Sequence, residues 1–185
     1  MTIDPLILKA IALSLGLMFL LAGYHKLSDR AQFRITLLEY QVIPESLVSP
    51  ASRIIPIVEI LLGGAWLFGW YQAGLTAAAS AGLLGIYALA ISINLYRGRV
   101  YFDCGCGFGG KSENEQYLSG GLVIRNVVLI TAALATLLPS TARELGLADY
   151  MTLVAAMLAT ALLFGAANQL LANRAAINTW RKGNG

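Results

Sequence analysis

Cys104 and Cys106 stand one residue apart in the stretch FDCGCGFGG, residues 102–110, together with Gly105, Gly107, Gly109 and Gly110. The chain has no third cysteine and a single histidine, His25. Three chemistries use such a stretch. Gly105, Gly107 and Gly110 satisfy G-x-G-x-x-G, but the dinucleotide fingerprint needs a preceding strand and a following helix within a βαβ unit. Here a long apolar run precedes it, which excludes that use. A metal site is short of donors, because structural zinc takes four ligands and an iron–sulfur cluster takes four cysteines. No metal is expected within one chain, and only a site shared across a dimer would supply enough ligands. The third chemistry is dithiol–disulfide exchange. A C-x-C disulfide closes a small ring, and Gly105 gives the backbone freedom to close it. Such a ring is strained, and strained, exposed disulfides are oxidising and exchangeable. Arg99, Lys111 or Arg125 would favour a thiolate there, and Asp103 would oppose it. The bland alternative is two inert small residues in a polar loop.

The elements that position this loop follow from composition. Of the 185 residues, 57% are hydrophobic and 12% charged, where a soluble domain carries about 25% charge. The mean hydropathy of +0.68 agrees. The chain reads as all-α, a single integral membrane domain over 1–185. Its net charge of +3 gives no reason to expect nucleic acid as a partner. Apolar runs at roughly 5–24, 54–72, 74–96, 122–138 and 150–172 predict about five transmembrane helices, since backbone groups in hydrocarbon must be satisfied within the segment. Asp4 precedes the first run where a signal peptide would be basic, so that run reads as a retained span. The second and third runs flank a tight WYQAG turn and form an antiparallel hairpin. In the third, Ala77, Ala81 and Gly85 have small-xxx-small spacing, which permits close helix approach.

Two longer connections remain. In residues 25–53, Phe33, Leu37 and Leu38 with Arg30 and Arg34 between them predict a short interfacial amphipathic helix ended by Pro44. Residues 97–121 hold the cysteines. Two crossings separate the connections, so both lie on one side. Eleven of the 13 basic residues fall on that side, leaving Lys9 and Arg143 on the other. The positive-inside rule taken alone makes that side cytoplasmic. Polar groups within spans are costly and mark sites. Glu59, Asn94, Arg125, Asn126 and His25 with Lys26 all belong to the helix ends under the cysteine loop. Glu59 is expected to pair with Arg125 or to bond across helices, and His25 and Lys26 to anchor at the interface. Such a charged pocket would tune a thiolate or hold an electron acceptor such as a quinone.

DCGCGFGG followed by YLSGGLVIRN, with GYHKL at the end of the first helix and IIPIVEILLGG in the second, resembles the MauE family of methylamine-utilisation membrane proteins, which belongs with the DoxX-like proteins. The likeness covers roughly residues 15–140, and Gly107 departs from the pattern, in which the second cysteine runs directly into Phe-Gly. The resemblance implies a bacterial inner-membrane protein needed for disulfide formation in the methylamine dehydrogenase small subunit. It implies a thioredoxin-like partner of the MauD type, Cys104 and Cys106 as the redox pair, and Glu59 and Arg125 as polar positions within the spans. A periplasmic partner requires a periplasmic loop, against the charge count. The rival readings are a non-catalytic membrane anchor for the partner or client, and a small transporter, which one-ended polar groups support less well.

Overall fold

In the computed structural model, the described residues are 2–70, 74–98, 120–141, 143–159, 162 and 166. They form α1 (Pro5–Ser28), α2 (Arg30–Tyr40), α3 (Glu45–Leu67), α4 (Leu75–Tyr96) and α5 (Gly120–Ala135), with a shorter α6 (Leu147–Ala159). The described residues contain no strand, only an isolated bridge between Ile3 and Ser140. Two units result, Met1–Ala142 with α1 to α5 and Arg143–Gly185 with α6.

Asp4 caps α1, its Oδ1 accepting from the Leu6 amide at 2.8 Å, and Pro5 opens the first turn. α1, α3 and α4 have 24, 23 and 22 residues, and all three are long and apolar enough to cross a bilayer. The chain is a helical membrane protein. At the expected fourth and fifth spans the described residues form the shorter apolar helices α5 and α6. α5 has 16 residues, about 24 Å of helix against the roughly 30 Å of a hydrocarbon core. Its C-terminal end tightens into i→i−3 bonds at Thr136, Leu137 and Leu138, and Pro139 follows. α6 is described only to Ala159. Its first turn is fixed by Asp149, which accepts from the Gly146 amide at 2.9 Å and from Arg143 at 2.6 Å.

The amphipathic helix is present as α2, with Phe33 and Thr36 buried, Leu37 and Leu38 half-buried, and Arg30 and Arg34 exposed. Its end differs from expectation. α2 stops because Gln41 turns left-handed at φ 47°, and Pro44 instead caps α3. α3 then begins nine residues before the apolar run and carries Pro50 and Pro56 inside it. Pro50, in the second turn, and Pro56, in mid-helix, each remove one helical hydrogen bond.

Unit 1 is built from two antiparallel pairs. α1 packs on α3, and α4 on α5, far more extensively than either pair packs on the other. In the first pair the backbones nearly touch. A Cβ at Gly63 would stand 2.8 Å from Leu20 Cγ and 2.9 Å from both the Gly16 carbonyl and the Leu20 amide nitrogen. One at Gly23 would stand 2.8 Å from the Pro56 carbonyl. The expected close approach on α4 is different: Ala77 is fully buried, but Gly85 faces open space. Between the pairs lies a core of Ala12, Leu15 and Phe19 from α1, Leu62 and Trp66 from α3, Ala77 and Leu84 from α4, and Ala133 from α5. At one end Ile3 exchanges backbone bonds of 3.0 Å with Pro139 and Thr141. The opposite end gathers the C-termini of α1 and α4, the N-terminal half of α3 and α2.

Candidate functional site

The buried stripe of α1 runs Leu8, Ala12, Leu15, Phe19, Gly23, Lys26. Its last member is a lysine because the helix continues to Ser28, four residues beyond the apolar run. Lys26 is therefore carried inward, with 5% of its surface exposed. Glu59 lies on the inner stripe of α3 and is 1% exposed. The two form a buried ion pair through Lys26 Nζ and Glu59 Oε1. Tyr87 of α4 closes the triangle: its hydroxyl donates to Glu59 Oε1 at 2.7 Å and accepts from Lys26 Nζ at 3.3 Å. The ammonium also lies 4.8 Å from the Tyr87 ring centroid and 5.3 Å from that of Phe33, within cation–π range. Four helices thus converge on one lysine.

This cluster is one rung of a ladder between α3 and α4. Seven residues further along α3 and seven back along α4, Trp66 Nε1 donates to Ser80 Oγ at 2.9 Å. Seven residues the other way are Ser52 and Asn94, both buried. Each bonds elsewhere. Ser52 Oγ donates to the Ser49 carbonyl at 2.8 Å, and Asn94 Nδ2 to the carbonyls of Ala90 at 3.0 Å and Tyr40 at 3.1 Å. Arg97 adds a bond to the Gln41 carbonyl at 3.2 Å. The α2–α3 connection is thereby tied to the C-terminal end of α4, from which the cysteine segment departs.

The expected site residues divide. Glu59 and Lys26 meet, and Glu59 is bonded across helices as expected, but its partner is Lys26 and not Arg125. Arg125 is exposed, one position round α5 from the buried Asn126, whose Nδ2 donates to the Leu122 carbonyl at 2.8 Å. Lys26 is not an interface anchor; only His25, one position round the helix, is exposed. Asn94 lies two turns from Tyr87 on the same face of α4. Tyr87 was not anticipated, although its seven-residue spacing from Ser80 and Asn94 marks it in the sequence. Cys104 and Cys106, with Asp103, Gly105, Gly107, Gly109, Gly110, Arg99 and Lys111, lie outside the described residues.

A bundle of apolar helices around a buried lysine–glutamate–tyrosine cluster, with a thiol-bearing connection between two of its helices, defines a multi-pass membrane protein with a polar centre near one end. The chain belongs to the MauE family: the model of Methylamine utilisation protein MauE matches residues 4–139, a range that includes α1 to α5 and both cysteines. The chain is similar to methylamine utilization protein MauE of Paracoccus versutus, 34% identical over 163 residues, 87% of this chain and 83% of that one. Its counterpart in Paracoccus denitrificans is 34% identical over 133 residues, 72% and 69% of the two chains. That of Methylophilus methylotrophus is 30% identical over 103 residues, 56% and 54%. No solved structure matches the chain.

Proposed function

We propose that this chain is a membrane thiol–disulfide oxidoreductase of methylamine utilisation, with Cys104 and Cys106 as its exchanging pair. It serves disulfide formation in the methylamine dehydrogenase small subunit through a thioredoxin-like partner of the MauD type. The observation that carries this reading is the buried Lys26–Glu59–Tyr87 cluster. Such groups are costly in a bilayer and mark functional sites. The cluster lies toward the end of the bundle at which α4 gives way to the cysteine segment, and Asn94 and Arg97 brace that end.

In the exchange, a partner thiolate attacks one sulfur of the Cys104–Cys106 disulfide and releases the other as a thiolate. The partner's second thiolate then displaces the first sulfur. The partner leaves with a disulfide to pass on, and Cys104 and Cys106 are left as two thiols. Replacing Cys104 or Cys106 singly by Ser removes that disulfide. The remaining thiolate should then attack the disulfide of the oxidised partner, the reverse of the exchange, and stop at a mixed disulfide that dithiothreitol resolves on a gel, while maturation of the dehydrogenase should be abolished. If both variants mature the enzyme normally and neither traps a partner, the proposal is wrong. A partner complex that survives loss of both thiols with full maturation makes the chain a non-catalytic anchor.

We place the protein in the bacterial cytoplasmic membrane, with α1, α3 and α4 as spans, α5 within the fourth and α6 as the start of the fifth, and the cysteine segment on the periplasmic side. The basic residues on that side are assigned to the site and its partners. After mild reduction, a membrane-impermeant maleimide should label Cys104 and Cys106 in intact cells. Protection until lysis would put the segment in the cytoplasm and remove a direct periplasmic role.

A further inference from the structure

Two buried acceptor atoms have no hydrogen-bond donor among the described residues, Glu59 Oε2 and Asn94 Oδ1. The first is the more demanding. Glu59 Oε1 already accepts from both Lys26 and Tyr87, while its second oxygen, in a side chain 1% exposed, accepts nothing. A carboxylate oxygen left so in an apolar surrounding is strongly unfavourable unless a donor reaches it. Glu59 belongs to the seam between the α1/α3 and α4/α5 pairs, across which its other oxygen bonds to Tyr87. Lys26 complements it. An ammonium carries three hydrogens, and among the described residues its nitrogen donates to two oxygens, those of Glu59 and Tyr87.

We propose that the Glu59 rung of this seam binds the oxygen end of a lipid-soluble quinone. The hydroquinone form donates its O–H to Glu59 Oε2, and the oxidised form accepts at its carbonyl from Lys26. The surroundings select the class. α1, α3 and α4, which carry Lys26, Glu59 and Tyr87, are long and apolar enough to cross a bilayer. A ligand that reaches the rung from lipid must be apolar except at one end, and that end must offer a donor to a carboxylate in one state. This rests on the thiol–disulfide reading, which leaves two thiols at Cys104 and Cys106 after each turnover. As their S–S bond reforms they lose two electrons and two protons, and the quinone takes both to become the hydroquinone.

Binding is tested without redox chemistry in a Cys104→Ser/Cys106→Ser chain in lipid nanodiscs, titrated anaerobically with decyl-substituted benzohydroquinone by calorimetry. Saturable binding at one site per chain is expected, weakened about tenfold or more by Lys26→Gln/Glu59→Gln, which leaves no unpaired charge, and unchanged by Ser80→Ala one rung away. Absence of saturable binding, or binding indifferent to the Lys26/Glu59 pair, overturns the site. Failure of the two readings is separable. Quinol binding in a chain whose thiols never trap a partner keeps the site and sinks the exchange. Partner trapping without quinol binding does the reverse.

Discussion

Glu59→Leu should destabilise the folded chain by about 3–5 kcal/mol, the usual cost of leaving one member of a buried ion pair without its partner. Lys26 is nearly inaccessible, and its ammonium donates to Glu59 and to Tyr87. With the carboxylate gone, one phenol oxygen and two aromatic faces remain to balance a buried positive charge. The ring faces contribute on the order of 1–2 kcal/mol and do not replace the carboxylate. Adding Lys26→Met should recover most of the loss, because an apolar pair of similar volume leaves no charge behind. The coupling energy of this double-mutant cycle, from unfolding in detergent, is the measurement. A Glu59→Leu protein as stable as the parent would show that the pair is not desolvated as described.

The second large effect lies between neighbouring glycines. Gly63→Ala should lower stability by about 1–3 kcal/mol, the range for overpacking, while Gly64→Ala should leave it unchanged or raise it by about 0.5–1 kcal/mol through helix propensity and a less flexible unfolded chain. The added methyl at 63 meets Leu20 Cγ at 2.8 Å and two backbone atoms of α1 at 2.9 Å. Backbone atoms cannot turn aside, so α1 must shift away from α3. At Gly64 nothing lies within 4 Å. Equal melting temperatures for the two variants would refute the close approach of α1 and α3.

What was legible in the sequence follows from how local each signal is. The membrane class and α1 and α4 are written in hydropathy, which any window of the chain reports. The α2 helix was visible in Phe33, Leu37 and Leu38, but its end was not, because proline signals either a stop or a start. Pro44 caps the next helix, and Pro50 and Pro56 lie within it. Among 19 glycines, spacing alone did not mark Gly16, Gly23 and Gly63 as the contact, since what matters is the backbone opposite each. Glu59 was recognisable as an expensive group in a span. Its partner was not, because the apolar run ends before Lys26 while the helix does not. Tyr87 reads as an ordinary aromatic until its register with Ser80 and Asn94 is noticed.

That register has a consequence for how the bundle identifies its own correct arrangement. Lipid tails are as apolar as leucine, so a membrane offers little to distinguish one alignment of two greasy helices from another. On α3 and α4 the distinction is carried by Glu59 against Tyr87 and Trp66 against Ser80. The spacing is the same on both helices, so a slip of a single residue breaks both matches at once. The nearest offset that would again set Glu59 or Trp66 against Tyr87 or Ser80 is a full seven residues away, about 10 Å of travel. The pairs act as the wards of a lock, admitting one alignment and refusing its neighbours.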